Sequence, residues 1–340
     1  MRSRPVLAVL LCTLVAACGG GDEDAAETTT STTTSTVPPA PPGTAALTAL
    51  GADPGLLGRP ALVVKIDNAP KARPQAGINE ADVVVEEGVE GGVTRFAAIF
   101  HSRDAGSVGP VRSARSTDIS VSRQMGRPLF AYSGANSVFA GLLKSSPLID
   151  VGVGVVPGAY RREPGRPAPY NLFSSTAPLF GAGSGGTAPP PLFAFRPPGE
   201  EAPAAWEPAP RVQAQWRGRI VTTAVFEWDA AGGGFARTQD GTPHVDASGA
   251  RVVPQNVVLQ VVNYRDTGLV DRSGASVPEA ELIGDGEAWV LTGGRMVRGR
   301  WSRPSEEAVT AYMDGSGAPI RLTPGRTWVE LVPVGNLKTL

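Results

Sequence analysis

Cysteine is nearly absent from this 340-residue chain: Cys12 and Cys18 are the only two, and both sit in an N-terminal apolar run. The rest of the chain therefore holds no disulfide, no thiolate metal site and no cysteine nucleophile. Histidine is as scarce, with His101 and His244 alone, which gives little support to a multi-histidine metal centre or a histidine-based triad. No G-x-S-x-G elbow, Walker-type phosphate loop or H-E-x-x-H pair occurs. Charge is also low, at 19% charged residues and a formal net charge of −1. That balance argues against a nucleic-acid partner. The apolar run at residues 6–15 is too short to cross a bilayer of about 30 Å as a permanent helix.

Glycine (42) and proline (32) are abundant, yet hydrophobic residues reach 41%, enough for real cores. Arg2 and Arg4 precede the apolar run, and Val15-Ala-Ala-Cys18 follows it. Small residues directly before a cysteine match the bacterial lipobox, which would leave Cys18 as the first mature residue, carrying acyl chains. A plain secretory signal is the alternative reading. Either predicts an extracytoplasmic protein, and the lipobox a lipid anchor to the cell membrane. Residues 1–18 are thus read as a lipoprotein signal peptide. Residues 19–55, rich in Thr, Ser and Pro, are read as a disordered tether.

The remainder predicts an α+β protein. Residues 56–200 read as a mixed α/β domain. Strand-like runs lie at 61–67, 82–87, 93–100, 128–132 and 148–156, and helices at 113–125 and 136–144. Asn136 is a natural N-cap for the second helix. Residues 201–340 read as a mostly β domain. Short runs at 220–228, 235–237, 256–264, 287–291, 296–301, 309–313 and 328–332 alternate with glycine turns. The six tryptophans, all in this half, are expected mainly in its core.

Several strings occur in a distinctive order: Ala61-Leu-Val-Val-Lys-Ile-Asp-Asn68, Arg73-Pro-Gln-Ala-Gly-Ile78, Glu90-Gly-Gly-Val-Thr-Arg-Phe96, Gly109-Pro-Val-Arg-Ser-Ala-Arg115 and Ala168-Pro-Tyr-Asn-Leu172. Together they resemble the YerB-like bacterial lipoprotein family, with its N- and C-terminal domains of unknown function. The resemblance runs from about residue 57 to 333. It implies an exported, lipid-anchored, two-domain protein and supplies no catalytic residues. Tyr170 departs from the pattern, which has histidine at that place.

Charge is ordered along the first half. Residues 80–90 carry Glu80, Asp82, Glu86, Glu87 and Glu90 and no base, whereas residues 95–127 carry six arginines. Of the 31 basic residues, 27 are arginine. The guanidinium fork matches phosphate and carboxylate oxygens. One reading is therefore an anion site built from Arg95, Arg112, Ser113 and Arg115 at a helix start, with Arg161, Arg162 and Asn171 nearby. The other is internal pairing of these arginines with the acids at 80–90. Asn171 also reads as an N-cap for a helix at 172–180. Asp67 with Glu86 or Glu87 offers oxygen ligands for Mg²⁺, against an Asx turn closing the strand. His244 lies two residues before Asp246, a turn position usually at the surface.

The residues favour a cell-envelope lipoprotein binding an anionic envelope ligand or an envelope protein, with no cofactor and no established reaction. The alternatives are a Mg²⁺-dependent enzyme acting on phosphate- or glycan-containing envelope polymers, and a passive scaffold.

Overall fold

The computed structural model describes residues 37–271 and 274–340. The signal peptide with Cys18, and the tether up to residue 36, lie outside the described residues.

The first half contributes the strands β1 (Leu62–Asp67), β2 (Val83–Gly88), β3 (Thr94–Phe100), β4 (Leu129–Ala131), β5 (Ile149–Asp150), β6 (Tyr160–Arg162), β7 (Leu172–Ser174) and β8 (Ala194–Phe195). It also holds the helices α1 (Pro54–Leu57), α2 (Ser116–Arg123), α3 (Ser137–Lys144) and α4 (Thr176–Ala182). The second half is all strand: β9 (Glu207–Pro208), β10 (Val212–Arg217), β11 (Val221–Asp229), β12 (Gly234–Gln239), β13 (Thr242–Pro243), β14 (Asn256–Val262), β15 (Tyr264–Val270), β16 (Ser276–Ala280), β17 (Gly284–Thr292), β18 (Arg295–Arg303), β19 (Ala311–Asp314), β20 (Arg321–Leu322), β21 (Thr327–Pro333) and β22 (Leu337–Thr339). The class is α+β, with a mixed N-terminal part and a sheet-rich C-terminal part.

One sheet spans both halves, in the order β19-β18-β17-β14-β21-β2-β3-β1-β4-β5. The seam is the parallel pair β2–β21, from Val83 opposite Thr327 to Glu86 opposite Glu330. The strands β1, β2 and β3 are buried along their whole length. That explains their near-continuous apolar runs, since both faces of the sheet are covered. On one face lies a second sheet, β13-β12-β11-β10-β22, which buries Phe226 and Trp216 against Phe96 and Trp328. Trp216 donates its indole N–H to Leu331 O at 2.9 Å. On the other face α2 and α3 pack Ile119, Val121, Phe139 and Leu143 over Val63, Val85 and Ala97.

Backbones from the two halves touch directly at a glycine pair. Gly92 has φ +84°, and a Cβ there would lie 2.2 Å from Ile220 O. Only glycine tolerates both conditions.

Three expectations need correction, and one element was not foreseen. Ala45, Leu47, Thr48 and Ala49 are buried, so the folded body starts before residue 56. The apolar Ala45-Ala-Leu-Thr-Ala-Leu50 string anchors it, and Gly325 N–H bonds Thr48 O. The strand expected over 148–156 shrinks to β5. The helix expected over 172–180 is β7 followed by α4. The ribbon β15–β16 has no counterpart in the sequence reading, because β15 alternates between exposed and half-exposed positions and lacks a buried face. Asn136 caps α3 as expected, accepting from Phe139 N at 2.7 Å. Trp216, Trp289, Trp301 and Trp328 are buried.

Candidate functional site

Strand alternation places Lys65, Asp67, Glu87 and Arg95 on one face of the main sheet, with Asp67 and Glu87 each opposite Arg95 across a strand pair. All four are buried. Lys65 Nζ donates to Glu87 Oε1 at 2.5 Å and to Asp118 Oδ1 of α2 at 2.6 Å. One ammonium thus serves two carboxylates. Burial, with the Asp118 charge, raises the Glu87 carboxyl to about 7, and Lys65 opposes that rise.

The stretch before α2 runs alongside β1, where Arg112 N–H bonds Lys65 O at 2.8 Å. α2 begins only at Ser116, so Arg112 and Arg115 lie in extended chain, not on a helical turn. Arg112 Nε donates to Asp67 Oδ2 at 2.7 Å, and Arg115 Nε to Glu90 Oε1 at 2.5 Å. Arg95 Nη1 donates to Ser113 O at 2.7 Å, while its Nη2 is 4.0 Å from Glu90 Oε2. Three guanidiniums therefore share two carboxylates. The Arg95 Nε is buried and has no hydrogen-bond partner. Burial, then the charges of Arg115 and Arg112, lowers the Arg95 guanidinium to about 10, partly offset by Asp67 and Glu90.

The three arginines and Ser113 line a cleft of about 500 Å³. It brings together Arg95, Arg112, Ser113, Arg115 and Arg162 of the expected set. The turn Ser133–Asn136 and the end of the β15–β16 ribbon form its other walls. Arg161 is not part of it. Its guanidinium is held by Glu163, Ser174 O and Ser107 Oγ at 2.8–3.0 Å. Asn171 does not cap a helix: its Oδ1 accepts from Arg162 Nη1 at 2.7 Å, which positions that arginine at the cleft.

The three carboxylates considered for Mg²⁺ are dispersed. Asp67 Oδ1 accepts from Ala69 N at 2.9 Å, closing an Asx turn, and its Oδ2 holds Arg112. Glu87 pairs with Lys65. Glu86 points to the opposite face, as its odd offset from Glu87 requires, and pairs with Arg237 of β12. Among the described residues no group of three or more His, Cys, Asp or Glu is placed to hold a metal ion.

That second face carries a buried network which sequence reasoning missed. Arg237 Nη1 donates to Gln239 Oε1 at 2.6 Å and to His244 Nδ1 at 2.7 Å. The other ring nitrogen of His244 lies 3.0 Å from Gln75 Oε1. Asn68 Nδ2 reaches Glu86, Thr94 and Gln239 at 2.7–3.1 Å. His244 is therefore buried and not a surface turn residue. Burial and the charges of Arg237, Arg73 and Arg251 push its imidazole well below the usual range. Glu330 adds a second carboxylate, 3.7 Å from Arg237 Nε. Burial and Glu86 raise the Glu330 carboxyl well above the ordinary carboxylate range. No local signal marks this network, because Glu86 and Arg237 are 151 residues apart.

Comparison with known proteins extends over both parts. Residues 47–185 match the family described as protein of unknown function (DUF3048), N-terminal domain, and residues 212–329 its C-terminal domain. The chain is 28% identical over 298 residues to YerB of Bacillus subtilis (strain 168), whose name gives it as a candidate lipoprotein. That match covers 85% of this chain and 86% of YerB. The crystal structure of the Bacillus subtilis YerB protein superposes with a TM-score of 0.74 at 24% identity, covering 87% of this chain and 98% of the other. The likeness shows a shared fold.

Proposed function

Because the chain belongs to the DUF3048 family of YerB-like proteins, carrying its N- and C-terminal domains in order, we propose that it is a lipid-anchored envelope protein whose arginine-lined cleft binds an anionic ligand. The anchor is Cys18, supported by the lipobox string and by the name of the Bacillus relative. The tether of residues 19–44 would hold the body within a mean reach of roughly 28 Å, from about 5–6 Å times the square root of its length.

One observation carries the cleft reading. Arg95, Arg112 and Arg115 share only Asp67 and Glu90, and the buried Arg95 Nε stands without a partner. A buried guanidinium short of acceptors is costly, and an anion at the open ends of this arginine row would supply them. The internal pairs fix the guanidiniums in place without saturating them. The reading assigns no reaction.

The test is a melting-temperature series with acetate, phosphate and diphosphate. Ligand at about 100 times its dissociation constant adds about 2.7 kcal/mol of stability. A shift that disappears in Arg112→Gln supports the proposal. Absence of a shift with every anion contradicts it and leaves the arginines as fold-holding groups.

A further inference from the structure

We propose that the ligand of this cleft is a phosphate ester carrying an apolar body. The inference rests on the anion-binding reading above and specifies its chemistry.

The distribution of donors is the first argument. Arg115 gives Nε to Glu90 and Nη1 to Ala114 O, which leaves Nη2. Arg95 gives Nη1 to Ser113 O and keeps its orphan Nε. Arg112 gives only Nε and keeps both terminal amino groups. A carboxylate has two oxygens in one plane and would take up a single fork, such as the open end of Arg112, leaving the free donors of Arg95 and Arg115 unmet. Here the Nε edges of Arg112 and Arg115 are already occupied by Asp67 and Glu90. What remains is a set of donors from three separate arginines, joined by the hydroxyls of Ser113 and Ser133 at the same cleft. Separate donors suit a tetrahedral group with oxygens pointing in several directions.

Charge is the second argument. Arg95, Arg112, Arg115 and Arg162 stand against the carboxylates Asp67 and Glu90. The excess of arginines over these two carboxylates suits a phosphate ester.

The third argument is the remaining wall. Val111, Val153 and Leu172 face the cleft from the body, and Val270 and Val277 from the ribbon. Val270 is 61% exposed. Val111, Leu172 and Val277 are already buried, but a bare inorganic ion would leave the exposed Val270 and the half-buried Val153 wet, whereas an ester with an alkyl or isoprenoid body would cover them.

Calorimetric titration of the protein with hexyl phosphate, hexanoate and inorganic phosphate tests this directly. Hexyl phosphate should bind at least about tenfold more tightly than either of the others, a difference of about 1.4 kcal/mol. Val270→Ser, a substitution at the exposed mouth, should reduce hexyl phosphate binding and leave inorganic phosphate unchanged. Equal affinity for hexanoate overturns the phosphate assignment while the anion reading stands. Equal affinity for inorganic phosphate overturns the apolar body. No binding by any of the three removes the anion reading as well. Vesicles of phosphatidylcholine with and without phosphatidate then separate the sources. Phosphatidate-dependent binding lost in Arg112→Gln identifies a bilayer lipid. Binding of hexyl phosphate without vesicle binding identifies a soluble ester.

Discussion

Arg112 lines the cleft, donates its Nε to Asp67 Oδ2 at 2.7 Å and lies 5.9 Å from the Tyr170 ring, while its two terminal amino groups make no hydrogen bond among the described residues. Internal pairing and ligand binding are therefore not alternatives at this residue. The buried carboxylate fixes the guanidinium, and the open end of the fork remains for an anion. Arg115 likewise gives its Nε to Glu90, but its Nη1 bonds Ala114 O, which leaves Nη2.

Behind that row, Lys65 is fully buried between Glu87 and Asp118. Lys65→Met removes the one cation that both carboxylates bond among the described residues and should cost about 3–5 kcal/mol. Denaturant unfolding at neutral pH measures it. A loss under about 1 kcal/mol would contradict this and mean that the substitution strands no buried charge.

The two glutamates beside Arg237 should respond differently. Burial and Glu86 raise the Glu330 carboxyl well above its ordinary range, which favours its neutral form, so Glu330→Gln is the milder substitution. Its cost should stay within about 1 kcal/mol. Glu86→Gln removes the carboxylate that Arg237 pairs with in a fully buried site and should cost about 3–5 kcal/mol. The opposite order of the two losses would contradict the assignment of Glu86 as the main partner of Arg237.

His244 makes stability depend on pH. Its folded-state pKa is depressed from 6.5, so below that value the unfolded chain takes up a proton that the folded chain refuses. Its contribution is intact above about pH 6.5 and is lost as pH falls through it. Glu87, raised to about 7 from 4.5, works the other way: between those values the folded chain holds the extra proton, so acid favours folding there. The difference between wild type and His244→Gln isolates the histidine. Unfolding free energies from about pH 8 to about pH 5 should show the variant gaining on the wild type as pH falls. A constant difference would mean that His244 titrates normally.

Much of this was legible in the residues. The strands at 61–67, 82–87 and 93–100, the two helices and the arginines of the cleft carry local patterns of apolarity, capping and charge. Local pattern cannot report what joins distant segments. The pairing of β2 with β21, the exchange between Glu86 and Arg237, and the ribbon that walls the cleft all depend on contacts far apart in sequence. Arg161 and Arg162 show the limit most simply. They are neighbours of the same type, yet strand alternation sends one to Ser174 and Ser107 and the other to the cleft.

The central claim is that Arg112 serves the ligand while Asp67 positions Arg112 without touching the ligand. The most direct test is the affinity of the folded protein for hexyl phosphate in wild type, Arg112→Gln and Asp67→Asn. Arg112→Gln should weaken binding by about tenfold or more, the 1.5–3 kcal/mol scale of a charged hydrogen bond. Asp67→Asn should retain or tighten binding, because it removes a competing negative charge beside the arginine. Loss of binding in Asp67→Asn together with full binding in Arg112→Gln would contradict the account and place the ligand on the carboxylate.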